Sequence, residues 1–501
     1  MRPYSIELLD QVEALLNIGI ALSGEKDHNR LLEMIVTEAR RVTGADAGTL
    51  YLCENSHLVF KIIQNETLKI FQGGGGEPIN LPPVPMKDEN VASWVALYRE
   101  IVNFPDVYAA EGFDFSGPRN YDRITGYRTA SMLVVPLCNH DDEVIGVLQL
   151  INSRDENGNI IPFDPSFEKV VSSLASQAAI ALTNMQFMQE IENLFRSFVE
   201  VMATAIDART PYNANHTRRV ASLTRMMVED LNQVTEGYWG RQFFDQERTE
   251  QLVMAAWLHD VGKIAVPLAV MNKSTRLEDS LALVQQRFDY IASSLKVKCL
   301  QARLKGEDDG PWREERAHLE SARELIEIVN QPSTVLTPDM IQELLSIAGR
   351  SYTDLKGRSR PWLNPDELEA LCVTRGTLTD RERQVMEDHV HYTNRMLEKI
   401  PFTRKYKNVP YLAGIHHEHL DGKGYPLGLL GDEIPPEGRI LALLDVFDAL
   451  TAADRPYKKG MNAEDALRIM EFMVKDGKLD GELLEHFRRS RIWERLDCPA
   501  G

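Results

Sequence analysis

Five stretches beyond residue 205 of this 501-residue chain set histidine or aspartate where a structural core would not choose them. "PYNANHTRRV" opens a helix at His216, and "AAWLHDVGKIAVP" ends an apolar helical run at His259 and Asp260. "LTDRERQVMEDHV" supplies His389, and "AGIHHEHLDGKGYPLGLLGDEIP" supplies His416 and His417. "RILALLDVFDALTAADRPYKK" sets Asp445 inside a strongly apolar helix. A single histidine on a helix is ordinarily a surface or capped core residue. A carboxylate amid Leu441, Leu444 and Phe447 is costly unless paired or metal-bound, with a salt bridge to Arg439 or Arg455 as the plain alternative. Taken together, imidazoles and two carboxylates on separate helices converge only in a bundle core, as carboxylate–histidine metal sites do. Nitrogen and oxygen ligands without thiolate favour iron or manganese, with zinc, cobalt or nickel also compatible. One carboxylate can bridge two ions ~3.5–4 Å apart, the spacing of two-metal phosphoester hydrolysis. Asp260 is the expected bridge, because its neighbour His259 can serve one ion only.

The elements that must position these groups follow from periodicity. Beyond residue 205 the chain reads as almost wholly helical. Ahead of it, residues 1–27 read as an amphipathic helix with Ile6, Leu9, Val12, Leu16 and Ile20 on one face, and a second helix runs from about Leu31 to Val42. Ala47–Cys53, Leu58–Ile63, Ser131–Leu137 and Val144–Ile151 read as strands, with a hairpin turn at 139–142 and a closing helix from about Asp164 to Met185. This order is an α+β layout around one antiparallel sheet.

The segments "RRVTGADAGTLYL", "VASWVALYREIVNFPDVY", "TASMLVVPL" and "EVIGVLQLINS" make residues 28–185 resemble a GAF domain. Such domains hold cyclic nucleotides, tetrapyrroles, small metabolites or only each other, so the resemblance implies a sensory role, with an unidentified small-molecule ligand as one alternative and no ligand as the other. Cys53 and Cys138 lie within or at the end of apolar strands and are read as core residues.

Residues 190–480 resemble the HD-GYP family of HD phosphohydrolases, which hydrolyse cyclic di-GMP. The resemblance rests on His259-Asp260-Val-Gly-Lys263, on His416-His417-Glu-His-Leu-Asp-Gly-Lys-Gly-Tyr-Pro426, and on "GDEIPPEGRI" and "DVFDALTAADRPYKK". It implies a binuclear metal centre held by His216, His259, Asp260, His389, His416, His417 and Asp445. It makes Lys263 a contact of the scissile phosphate, and Arg455, Lys458 and Tyr425 part of the substrate pocket. The loop at 421–426, with Gly422 and Gly424 free to take positive φ, would shape that pocket and could meet diguanylate cyclase partners. Some members add a third ion through a glutamate four residues before the first histidine; here Tyr212 stands there, which argues for two ions. The implied reaction is in-line attack of hydroxide on one phosphodiester, catalysed through Asp260 and Lys263 and giving pGpG and, on a second cut, GMP. The alternatives are hydrolysis of another cyclic dinucleotide such as cyclic GMP-AMP, and a non-catalytic cyclic di-GMP receptor.

The expected fold is therefore multidomain: an α+β GAF domain (28–185) after an N-terminal helix (1–27), a long connecting helix (186–206), an all-α HD-GYP bundle (207–480) and a C-terminal tail (481–501). Met188, Ile191, Phe195, Phe198, Met202 and Ala205 step as a heptad seam, which predicts a parallel homodimer. His389 follows Asp260 by 129 residues, far beyond the family's usual spacing, so residues 274–376 form a helical insertion: a projecting hairpin, or else a lid or docking arm. The net charge of −19 disfavours nucleic-acid polymers as partners. Five cysteines without metal-type spacing point to a reducing, cytoplasmic setting, and no apolar run is long enough for a membrane span.

Overall fold

The computed structural model describes residues 16–25, 27–209, 215–452 and 460–496. Tyr212, Arg455 and Lys458 lie outside the described residues, as do Ile6, Leu9 and Val12 of the N-terminal helix. The chain divides into two compact units that part between Phe195 and Arg196.

The first unit opens with α1 (16–24) and α2 (His28–Thr43). Asp27 caps α2 by accepting from the Arg30 amide, and Gly44, at φ 65°, ends it. Then follow β1 (Ala45–Glu54), β2 (His57–Asn65), β3 (Ile70–Gln72), β4 (Val84–Pro85), α3 (Val91–Tyr98), β5 (Val102–Phe104) and α4 (Ser116–Thr125). The unit closes with β6 (Met132–Cys138), β7 (Val144–Arg154), β8 (Ile160–Ile161) and α5 (Pro165–Asp207). The sheet runs β3-β2-β1-β7-β6-β5 with antiparallel pairing throughout. Strand alternation gives it two apolar faces. Leu50, Ile62, Leu133, Leu148 and Leu150 pack with α2 and α5, while Tyr51, Leu58, Met132, Val134 and Val147 pack with α3. The α+β reading of this unit holds.

On the α3 side a cavity of about 560 Å³ opens over Thr49, Gln149 and Tyr127. Cys53 and Cys138 are free thiols; burial pushes Cys53 up to about 11 and raises Cys138 as well, so neither carries reactive thiolate near neutrality.

Two apolar seams differ in part from their sequence reading. On α1, Leu16 and Ile20 point outward, and Ile18 and Leu22 enter the core instead. On α5, Phe187, Met188, Ile191, Leu194, Phe198 and Val201 are exposed; Met188, Ile191 and Phe198 belong to the expected seam, and Leu194 and Val201 widen it. Phe195 and Met202 are only half exposed, because Val199, Ala203 and Ile206 turn that side of the helix inward.

The second unit is helical. It contains α6 (His216–Leu231), α7 (Gln246–Leu258) and α8 (Leu268–Met271), then α9 (Ser280–Lys305), α10 (Gly310–Asn330) and α11 (Pro338–Ala348). A hairpin of β9 (Ser351–Thr353) and β10 (Ser359–Pro361) precedes α12 (Pro365–Leu371). The rest comprises α13 (Asp380–Glu387), α14 (His389–Leu397), α15 (Val409–Ala413), α16 (Pro436–Thr451), α17 (Ala463–Lys475) and α18 (Gly481–Ser490). Leu223, Met227, Leu252, Leu441, Phe447, Leu467 and Phe487 share its main core.

The segment from α9 to α12 has a core of its own around Phe288, Leu319, Leu344 and Trp362. Arg276, fully buried, ties the two ends of this segment together by donating to the carbonyls of Val329, Gln331, Thr334 and Val373. It is thus a folded, mostly helical segment with a small β-hairpin that its sequence pattern did not reveal. Among the described residues no helix is long and apolar enough to cross a membrane.

Candidate metal centre

Each candidate ligand sits at a helix end or on a buried helix face. His216 is the first residue of α6, His259 and Asp260 follow the last turn of α7, and His389 begins α14. His416 and His417 lie just beyond α15, and Asp445 is in the middle of α16. The chain turns sharply after Asp260 because residue 262 is glycine: a Cβ there would stand 1.9 Å from the His389 carbonyl. Thr393 of α14 closes the same junction, accepting from the Gly262 amide at 3.0 Å and donating to the His259 carbonyl at 3.0 Å.

These groups converge in two sets. His216, His259 and Asp260 offer ligand atoms within 4.8 Å of one another, and so do His389, His416 and His417. Asp260 faces both sets. Its Oδ2 lies 3.2 Å from His259 Nε2 and 3.5 Å from His216 Nε2, while its Oδ1 lies 3.4 Å from His389 Nε2 and 4.0 Å from His416 Nε2. Asp445 Oδ1 joins the first set, 3.2 Å from His216 Nε2 and 3.6 Å from His259 Nε2. Arg439, the alternative partner for Asp445, is engaged with Asp480 and Asp432 instead.

The donor chemistry fits a metal. Nδ1 of His259, His389 and His416 each meets a backbone carbonyl at 2.7 Å, of Ala256, Met386 and Ala413 respectively. Nδ1 of His216 donates to Asp448 Oδ2, also at 2.7 Å. With the proton held at Nδ1, the Nε2 lone pair is left for a ligand, the orientation metal-bound histidines adopt. Nε2 of His216, His259, His389 and His416 and Oδ1 of Asp260 are buried without a hydrogen-bond partner. Such atoms are costly in a folded core unless something occupies the space between them. Ligand atoms sharing one ion at ~2.1 Å would stand about 3 Å apart, close to the separations seen here.

Electrostatics separates the two sets. Burial disfavours charge on Asp260 and Asp445, but His259, His216 and, for Asp260, Lys263 outweigh it and hold both carboxyls well below the usual range. Burial alone would lower His259, yet Asp260 and Asp445 hold it at about 9, and the same two carboxylates with Asp448 raise His216. This set draws in positive charge. Burial, aided by neighbouring cationic groups, lowers His389 and His416 and takes His417 to about 3, so the second set presents neutral imidazoles.

Lys263 lies on the short 3-10 turn Val261–Ala265 with its Nζ 2.5 Å from Asp260 Oδ2, inside the same cavity. The Tyr425 ring stands 4.8 Å from that of His417, at the rim. Of the two loop glycines only Gly422 takes positive φ, at 73°; Gly424 is needed for space, since a Cβ would come within 2.3 Å of the His419 amide nitrogen.

Four supporting residues escaped the sequence reading. Asp448 holds both His216 and Arg219. Asp207 accepts from the amide and hydroxyl of Thr217, fixing the start of α6. Glu418 is buried and accepts from the amides of Leu427, Gly428 and Leu429, which orders the loop after Tyr425. Thr393 is the fourth.

Parts of the chain match known families and proteins. Residues 27–182 match the model of the GAF domain, and residues 213–375 and 362–483 match two models of the HD domain. A 138-residue stretch is 44% identical to the 3′3′-cGAMP-specific phosphodiesterase 3 of Vibrio cholerae serotype O1, covering 24% of this chain and 29% of that protein. Over 73 residues it is 48% identical to the 3′3′-cGAMP-specific phosphodiesterase 1 of the same organism, covering 15% and 17%. Over 100 residues it is 40% identical to the cyclic di-GMP phosphodiesterase response regulator RpfG of Xanthomonas campestris pv. campestris, covering 20% and 26%. The matched stretch spans less than a third of each of these relatives. The chain is thus a GAF domain followed by a helical HD domain.

Proposed function

We propose that the chain is a metal-dependent phosphodiesterase that opens cyclic di-GMP to pGpG and, on a second cut, GMP, under the control of its GAF domain. The observation that carries this reading is Asp260, which turns one carboxylate oxygen to each of two histidine sets, in which Nε2 of His216, His259, His389 and His416 is buried without a hydrogen-bond partner among the described residues. Two ions, iron or manganese first, would supply Lewis acidity toward the phosphoryl oxygens and a nucleophile from water. His216, His259, Asp260 and Asp445 would hold one, and Asp260, His389, His416 and His417 the other. Lys263 meets the scissile phosphate with its ammonium group, prepositioned by Asp260. Tyr425 walls the pocket, and Arg455 and Lys458 complete the positive side. The GAF cavity is the seat of a small regulatory ligand, and the four described cysteines, all free, suit a cytoplasmic setting.

The rival substrate is 3′3′-cyclic GMP-AMP, after the activity named in two of the relatives. Purified chain loaded with Fe(II) or Mn(II) under reducing conditions should release pGpG from cyclic di-GMP faster than it opens cyclic GMP-AMP or cyclic di-AMP. Faster cyclic GMP-AMP turnover would replace the substrate, and binding without turnover would make the chain a receptor.

The outward stripe on α5 is proposed to pair with its counterpart in a second copy as a parallel two-stranded seam, Ile191 and Phe198 alternating with Leu194 and Val201. Leu194→Glu with Phe198→Glu buries four charges in that seam and should weaken the dimer by about 100-fold or more. Light scattering at micromolar concentration would then read a monomer; an unchanged dimer would locate the contact elsewhere.

A further inference from the structure

The second unit contains a bowl of about 440 Å³ on the side of α6 and α7 that faces away from the metal centre. Arg225 is nine residues from His216, and Glu250 is nine residues from His259. At about 100° per residue, nine residues amount to half a turn of the helix. The floor is apolar and partly aromatic, with Met226, Val253, Met254 and Trp257. Arg196 of α5, Arg225 of α6 and Arg495 near the C-terminal end stand around it. Against the effect of burial, Lys405 and, less strongly, Arg196 lower the Glu250 carboxyl, while Arg225 and Arg495 make no hydrogen bond or ion pair among the described residues. Arg225 and Arg495 thus leave two exposed positive charges at the bowl in a chain of net charge −19. Glu250 is already matched by Lys405 at 2.6 Å, whereas Glu200 on α5 makes no ion pair among the described residues.

Guanidinium groups bind phosphate through paired N–H donors, an indole face stacks on a flat heterocycle, and a carboxylate accepts from adjacent ring and amino N–H groups. The volume is at the lower end of the range for small-molecule sites, which suits one nucleotide rather than two joined. We propose that this bowl binds a guanine mononucleotide, with its phosphate on the arginines, its base over Trp257 and Glu200 on the guanine N1 and N2 edge. The site stands on its own lining; only its effect on turnover rests on the function proposed above. Trp257 precedes His259 by two residues, and Arg196 and Glu200 lie on the helix arriving from the GAF domain. A nucleotide lodged here would brace α5 against the two helices that carry His216, His259 and Asp260.

The test is calorimetric titration of GMP, AMP and inorganic phosphate into the full-length, metal-loaded chain. GMP should bind more tightly than AMP, and phosphate more weakly than either. Arg225→Gln with Arg495→Gln should weaken GMP at this site by about tenfold or more, while the rate of cyclic dinucleotide turnover without GMP stays unchanged. If that variant folds poorly by circular dichroism, Ser222→Glu, which sets an anion on the lining, should weaken GMP in the same way. GMP held at the metal centre is displaced by cyclic di-GMP and insensitive to these substitutions. If all bound GMP behaves so, or if phosphate binds as tightly as GMP, the proposal is overturned.

Discussion

Asp260→Ala should lower turnover by about 10⁴-fold or more, the scale on which loss of a group acting as a unit is felt, and should strip metal from both halves of the centre. The two effects have one cause. Oδ2 of Asp260 faces His216 and His259, and Oδ1 faces His389 and His416, so a single truncation removes a ligand from each set. What remains for the second set is three neutral imidazoles with no charge to balance a divalent cation. The first set keeps Asp445 and two histidines. Lys263 meanwhile loses the carboxylate that holds its ammonium group in the cavity. Metal content by mass spectrometry and initial rates over a range of added Mn(II) check the prediction. Excess metal should not restore the rate. Full activity, or two tightly held ions per chain, would sink the bridging role.

Lys263→Met is the informative companion. Both metal sets stay intact, so the ions should remain, while the rate falls for want of a cation at the phosphate. A fall in metal content instead would make Lys263 a support of Asp260 rather than a substrate contact.

Much of this centre was legible in the sequence because its residues break ordinary rules. A carboxylate inside Leu441–Phe447, and histidines at the ends of apolar helices, have no economical structural reading, so their convergence could be inferred before any contact was known. The GAF sheet was equally readable: its long strands are near-continuous apolar runs, β1, β2 and β7 enclose the segments expected, and β6 is offset from its segment by one residue. What escaped notice was hidden by a different kind of normality. Asp448 follows Asp445 by three residues, so both lie on one face of α16, but an acid near a helix end is commonplace. Glu418 sits among His416, His417 and His419, where a further polar residue draws no attention, and only the three amides it gathers reveal its purpose. The α5 seam was legible only in part: Met188, Ile191, Phe198 and Ala205 are exposed as expected, while Phe195 and Met202 are partly covered. Phe187, Met188, Phe195, Phe198, Val199, Val201 and Met202 leave apolar residues on more than one face, and which face turns inward is settled by packing of Val199 and Ala203. The strands β9 and β10, three residues each, are too short to show a period.

Asp448→Ala should separate support of the centre from membership in it. The carboxylate accepts from His216 Nδ1 at 2.7 Å through Oδ2 and clasps Arg219 at 2.6 Å and 2.9 Å through both oxygens. Burial opposes its charge, but His216 and Arg219 more than compensate and keep it ionised. Removing it leaves a guanidinium and an imidazole N–H without their acceptor, and frees His216 to rotate or to move its proton to Nε2, the atom a metal needs. Loss of one partner from a buried ion pair costs ~3–5 kcal/mol. Arg219 is about a quarter exposed, so about 2–3 kcal/mol is the better expectation here. Metal affinity of the His216 half should fall by ~10–100-fold, as for other groups that orient a ligating histidine. The chain should therefore bind one ion normally and the other weakly, and excess Mn(II) should recover most of the lost rate, in contrast to Asp260→Ala. Asp448→Asn keeps one acceptor oxygen, which can serve His216 and one Arg219 N–H, but loses the charge and the second oxygen that Arg219 Nε uses, so rescue should be partial. Thermal melts, metal titration and the rate at saturating metal read these three consequences separately. Unchanged metal affinity in both variants, with only the melting temperature lowered, would make Asp448 a structural anchor for Arg219 and remove His216 from the list of ligands it positions.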